Sequence, residues 1–131
     1  TLYHGTKFAV EGLSEALHYE LEAFGVRVKI VEPGMIRTDF GGRSFDFCND
    51  ASIAEYQGTV RKLFAYWGKV GAAPSDPGVV AEAVWRAVHD ETETLRFRAG
   101  ADAEVLLADR KQQDDATFIG GLKSQIGLES G

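Results

Sequence analysis

Tyr3 and Lys7 stand four residues apart, so in a helical segment both side chains leave the same face, one turn from each other. A lysine ammonium beside a phenol favours the phenolate, which makes the pair a proton donor and acceptor suited to general acid–base chemistry near neutral pH. Alone the motif is short, and a solvated phenol beside a solvated lysine gives the same letters. A second group stands further on, where Glu32-Pro33-Gly34 closes a β-branched run. By itself this is a turn signal, and a plain strand-ending turn accounts for it. Metal chemistry is not expected: His4, His18 and His89 are far apart and have no cysteine or carboxylate partner at zinc-ligand spacing.

The elements that must position these residues follow from hydrophobic spacing. From Leu2 to Phe24 no proline appears, and Val10, Leu13, Leu17, Leu21 and Phe24 recur at steps of three and four. This predicts a long amphipathic helix, with Glu11, Glu15 and Glu22 off the stripe and Gly25 as its left-handed cap. Val26 to Val31 alternates Val26, Val28 and Ile30 with Arg27 and Lys29, which predicts a strand. Gly41-Gly42 opens an irregular stretch, and Ser52 to Trp67 carries Ile53, Tyr56, Val60, Leu63, Phe64 and Trp67 at helical spacing.

After the break at Gly71 to Pro77, Asp76 is an N-cap candidate ahead of Pro77, and Val80, Ala83, Val84, Ala87 and Val88 continue a helix. Leu95 to Ala99 is a brief strand with outward Arg96 and Arg98, expected beside Val26 to Val31. Ala101 to Gln113 predicts a helix capped by Asp102 or its neighbour, and the tail after Asp114, with Gly120-Gly121 and Gly127, is expected to fray or pack weakly. Helix, short link and strand in this order make an α/β unit with parallel strands.

Composition bounds the function. With 131 residues, 44% hydrophobic and 26% charged, the chain is the size of one domain of ordinary soluble composition. Its formal net charge of -6 argues against a nucleic-acid backbone as partner, because such surfaces cluster lysine and arginine. Cys48 is the single cysteine, so no intrachain disulfide can form, and a cytoplasmic setting without a membrane anchor is the expectation.

The run Tyr3-His4-Gly5-Thr6-Lys7-Phe8-Ala9-Val10-Glu11-Gly12, the long helix behind it, and Val28-Lys29-Ile30-Val31-Glu32-Pro33-Gly34-Met35-Ile36-Arg37-Thr38 together resemble the short-chain dehydrogenases/reductases. The resemblance runs in element order from Tyr3 to about Arg98. It implies the C-terminal portion of a Rossmann-type, doubly wound parallel sheet: two parallel strands with flanking helices. It implies an NAD(P)-dependent oxidoreductase that moves a hydride between nicotinamide and an alcohol or carbonyl. Tyr3 matches the family's acid/base, and Lys7 matches the lysine that holds the nicotinamide ribose. Pro33 and Gly34 match the turn beside the nicotinamide ring, Ile36 would offer backbone groups to the carboxamide, and Thr38 would offer a hydroxyl to the carboxamide or phosphate. NAD and NADP remain equally open.

By the same resemblance the chain is one partial domain. Residues 1–44 are the catalytic helix, strand and Pro-Gly loop, 45–70 a substrate lid, and 71–131 the last helix, last strand and tail. Phe45, Phe47, Tyr56, Phe64, Tyr66 and Trp67 fall in the lid, where they would line an apolar pocket or pack in a core or interface. The family's glycine-rich turn and catalytic serine precede the tyrosine, and only two residues stand before Tyr3. A truncated chain, unstable or inactive alone, is therefore expected, with homo-oligomer contacts through the long helix. The alternative is a non-catalytic α/β interaction or dimerisation remnant.

Overall fold

The computed structural model describes residues 1–129; Ser130 and Gly131, the last two residues of the tail, lie outside them. The order is α1 (Leu2–Glu22), β1 (Ile30–Pro33), a short 3-10 turn (Asp39–Gly41), α2 (Ala54–Val70), α3 (Gly78–His89), β2 (Arg96–Ala99), α4 (Ala101–Gln112) and α5 (Asp115–Ile126). β1 and β2 form a two-stranded parallel sheet in which Ile30 pairs with Arg96 and Pro33 with Ala99. The α/β class and the expected neighbour relation of the two strands both hold.

Helices cover both faces of this sheet. Side chains alternate along a strand, so Ile30, Glu32, Arg96 and Arg98 share one face and Val31, Pro33, Phe97 and Ala99 the other. α1 lies on the first face, where Arg96 reaches Glu11 at 3.3 Å and Glu15 at 2.6 Å. α3 lies across both strands on the second face and brings the small, buried Ala83 and Ala87, one turn apart, against it. With Ile30, Phe97, Ala99 and Ala103 they make up the core. A close helix-on-sheet approach has no room for a larger side chain, so Ala83→Leu is expected to cost about 1–3 kcal/mol, read as a lowered urea midpoint.

α1 ends as the sequence implies. Gly25 takes φ 71°, its N–H donates to Glu22 O at 2.9 Å, and Val26 N–H donates to Leu21 O at 3.2 Å, the bond pair of a Schellman motif. Its apolar stripe, however, is covered only in part: Leu17 and Leu21 are half-buried, whereas Val10, Leu13 and Phe24 are largely exposed, and the glutamate-bearing face meets the sheet.

β1 begins four residues later than the alternation predicts. Its partner starts only at Arg96, and the ladder runs from Ile30 N–H on Leu95 O to Gly34 N–H on Ala99 O, so the residues from Val26 to Lys29 precede any partner strand. Asp76 caps α3 as expected, accepting from Gly78 N–H at 2.9 Å, and Pro77 already has helical angles.

One expectation fails and another holds only in part. Asp102 does not cap α4, which has no side-chain cap; its carboxylate reaches the loop after β1. The stretch after Asp114 does not fray but forms α5, because Asp114 accepts from Thr117 N–H at 2.8 Å at one end and Gly127 takes φ 77° at the other; the expected weak packing holds, since no residue of α5 is buried. These caps outweigh the propensity cost of Gly120-Gly121, and packing on α2 adds to them through Tyr66 and Gln125. Among the described residues no helix is long and apolar enough to cross a membrane.

Candidate active site

Tyr3 lies in the first turn of α1, about half exposed. Lys7 follows one turn later, and its Nζ lies over the Tyr3 ring, 5.5 Å from the ring centre. The helix spacing that suggested a shared task thus brings the two side chains together. The Tyr3 ring also meets Phe40, at 5.6 Å between centres. Phe40 belongs to the 3-10 turn that follows the Pro-Gly loop, so this contact joins the far end of the loop to the helix carrying Tyr3.

The loop itself is pinned by backbone. Ser75 N–H donates to Met35 O at 2.8 Å and Arg37 N–H donates to Ser75 O at 2.9 Å, a parallel bridge centred on Ile36. Such a bridge uses the groups on either side of Ile36, and its own N–H and C=O have no hydrogen-bond partner among the described residues. Arg37 and Asp76 form an ion pair alongside. Thr38 Oγ1 accepts from Phe40 N–H at 3.3 Å and so caps the 3-10 turn, which leaves its hydroxyl hydrogen available for donation. No hydrogen bond joins Tyr3 or Lys7 to Pro33, Gly34, Ile36 or Thr38 among the described residues; Phe40 is what links the two groups.

From Phe40 the rings continue. Phe40 meets Phe45 at 6.2 Å, Phe45 meets Phe47 at 5.9 Å and Trp67 at 6.3 Å, and Phe64 meets Phe47 at 4.9 Å and Trp67 at 5.5 Å. This open aromatic wall starts at the Tyr3 ring and runs onto α2. Two residues grouped with it by sequence stand apart: Tyr56 is exposed, and Tyr66 points to Gln125 on α5. Phe40 itself was not legible in the sequence, since a lone phenylalanine in the segment between β1 and α2 carries no periodic signal. Asp102 and Ser75, which hold the Pro-Gly loop, were not legible there either.

Electrostatics ties the site to the sheet. The Arg96 guanidinium, by hydrogen bond and by charge, holds the Glu15 carboxyl below its ordinary value near 4.5. Burial pushes Glu32 above that value, and Glu11 adds to the rise against the pull of Arg96 and Arg98. The signs are opposite. The Glu15 contribution is complete above pH 4.5 and is lost as pH falls through the lowered folded-state value. Glu32, whose proton the folded form holds more tightly, costs stability as pH climbs from 4.5 through its raised value. Amide exchange in α1, corrected for intrinsic rates, should therefore accelerate relative to β2 as pH falls below about 4.5. Arg96→Met should remove that dependence; an α1 whose exchange still follows pH in the variant would show that another contact docks it.

Comparison with known proteins places these features. The sequence model described as short chain dehydrogenase matches residues 1–48, which hold Tyr3, Lys7 and the whole Pro-Gly loop. An uncharacterized oxidoreductase of Schizosaccharomyces pombe is 36% identical over 132 residues, covering 97% of this chain and 52% of the relative. An uncharacterized oxidoreductase of Bacillus subtilis is 31% identical over 108 residues, 80% of this chain and 39% of the relative. Retinol dehydrogenase 8 of Bos taurus is 29% identical over 119 residues, 82% of this chain and 36% of the relative. The chain spans about half the length, or less, of the curated relatives it matches. With a parallel sheet flanked by helices and this pattern of similarity, the chain belongs to the short-chain dehydrogenase/reductase family.

Proposed function

We propose that this chain carries the proton-transfer end of an NAD(P)-dependent oxidoreductase acting on an alcohol or carbonyl with a bulky apolar body. The observation that carries the reading is the contact of the Tyr3 ring both with Lys7 and, through Phe40, with the Pro-Gly loop. A bound nicotinamide would supply or accept the hydride. The Tyr3 hydroxyl gives a proton to the substrate oxygen during reduction and takes it back during oxidation. The positive charge of Lys7 stabilises the phenolate that Tyr3 becomes after giving up its proton, and its ammonium would bond a ribose hydroxyl of the nucleotide. The unpaired N–H and C=O of Ile36 fit a carboxamide, which needs one donor and one acceptor, and Thr38 can donate its hydroxyl hydrogen beside them.

The aromatic wall supports the apolar half of the proposal. Rings that touch Tyr3 and stay open on one side gain most from an apolar ligand lying along them. Similarity to a protein named retinol dehydrogenase points the same way. The same proposal places the enzyme in the cytoplasm as a homo-oligomer, with the exposed Phe8, Val10 and Leu13 of α1 as the subunit contact.

The test is turnover of NADPH and NADH by the full-length protein against ketones of equal reactivity and increasing alkyl or aryl size. KM is expected to fall as the apolar body grows, and Phe47→Ala with Trp67→Ala should flatten that trend. Oxidation of neither nucleotide with any carbonyl, or a preference for small polar ketones, would contradict the reading.

A further inference from the structure

We infer that Asp102 is the positioning residue of the Pro33-Gly34 turn, and that position 34 is glycine so that the Asp102 carboxylate can enter; the inference rests on reading that turn as the nicotinamide end of the site. Asp102 is the second residue of α4, and its Oδ2 accepts from Met35 N–H at 2.6 Å across 67 residues of chain. The preceding amide, Gly34 N–H, donates to Ala99 O at 2.9 Å. Two successive amides of the turn are thus held by the segment where β2 passes into α4, one by a backbone carbonyl and one by a full negative charge. Charge-assisted hydrogen bonds of this kind are the short, strong ones, and the first turn of a helix favours the carboxylate that makes it.

The space around Gly34 gives an independent argument. Its φ is not in the left-handed region, which among the described glycines is occupied by Gly25, Gly100 and Gly127. An alanine at 34 would therefore meet no backbone objection. A Cβ built there overlaps the Asp102 carboxylate itself, including both oxygens and the carbon between them. Glycine at this position is a requirement of the neighbour. Turn and acid residue form one unit, although 67 residues separate Asp102 from its partner at Met35.

The consequence falls on Ile36. Met35 is fixed at its N–H by Asp102 and at its C=O by Ser75 N–H, so the residue before Ile36 is clamped at both polar groups. The Ile36 backbone groups offered to the carboxamide inherit their direction from that clamp. Misplacement by about 1 Å at such a site costs on the order of a hundredfold in rate or affinity. Asp102 touches neither substrate nor cofactor in this account and acts through the turn alone.

The experiment is steady-state kinetics of the full-length enzyme with Asp102→Ala, Asp102→Asn, Gly34→Ala and the Gly34→Ala/Asp102→Ala double variant, together with amide exchange at Met35. Asp102→Ala should raise KM for the nicotinamide nucleotide about ten- to a hundredfold and accelerate exchange at Met35. KM for the carbonyl and the urea midpoint should change far less. Asp102→Asn, which keeps an acceptor oxygen, should recover most of the loss.

Gly34→Ala should be as damaging as Asp102→Ala, yet add little once the carboxylate is gone, so the double variant should fall well short of the product of the two. An active wild type whose nucleotide KM ignores Asp102→Ala, or in which the two substitutions multiply, would overturn the inference. If the wild type turns over neither nucleotide, the proposed function is what fails, and exchange at Met35 in the same four variants still decides whether the carboxylate holds the turn.

Discussion

Tyr3→Phe is expected to lower carbonyl turnover by about 10²- to 10⁴-fold, the range over which a positioned acid or base acts. Binding of the nicotinamide nucleotide should stay within roughly threefold of wild type, because the substitution removes one hydroxyl and keeps the ring. The ring's contacts with Phe40 and with the Lys7 ammonium do not involve the hydroxyl and survive in the variant. Rapid mixing with excess enzyme separates the two quantities: the nucleotide-binding amplitude should persist while the hydride-transfer phase slows. Turnover retained in Tyr3→Phe would remove Tyr3 from the chemistry, and a raised nucleotide KM with unchanged kcat would make the hydroxyl a binding group only. Lys7→Met is the companion variant. It should weaken nucleotide binding as well as turnover, since the ammonium is assigned to both the ribose and the phenolate.

Much of the scaffold of this site was legible in the letters. Periodicity placed α1, α2 and α3 to within a few residues, since an amphipathic helix writes its apolar face into the sequence at steps of three and four, whether or not that face is buried. Tyr3 and Lys7 were legible for the same reason, because their neighbour relation is local. What could not be read depends on contacts between distant parts of the chain. The start of β1 is set by where β2 begins, and no residue of Val26 to Lys29 announces that it lacks a partner. Asp102 carries the letter of a helix cap, and only the folded turn shows its oxygen bonded to Met35 instead. Phe40 is joined to Tyr3 by tertiary packing alone. The apolar stripe of α1 is a different case: the letters reported an apolar face correctly, but the glutamates beside it are what meet Arg96.

Lys29 extends the same point to stability, and Lys29→Met should be the most destabilising single change at a charged residue of the sheet layer, by about 3 kcal/mol. The alternation before β1 assigns Lys29 to a solvated face. In the structure its side chain is only 11% exposed and lies beside the Phe97 ring. All three ammonium hydrogens are spent on the α3–β2 connection: on Asp90 Oδ1 at 3.0 Å, Thr92 O at 2.7 Å and Thr94 O at 2.9 Å. Methionine matches the stem's length and apolar packing but leaves the Thr92 and Thr94 carbonyls without this donor and takes from Asp90 Oδ1 one of its three, the Thr92 N–H and hydroxyl remaining.

The pH dependence identifies the cause. The Thr92 hydroxyl first, and Lys29 next, hold Asp90 below its ordinary value near 3.8. Its contribution is therefore complete above that pH and is lost as pH falls through the lowered folded-state value. The gap between wild type and Lys29→Met in urea unfolding should narrow over that window as Asp90 takes up a proton. It should not close, because the carbonyls of Thr92 and Thr94 do not titrate. Lys29→Arg should recover only part of the loss, since a planar fork cannot aim three donors at one convergent point as an ammonium does. A cost for Lys29→Met below about 1 kcal/mol, or one that ignores pH, would show that the connection holds its shape through the Asp90–Thr92 turn alone.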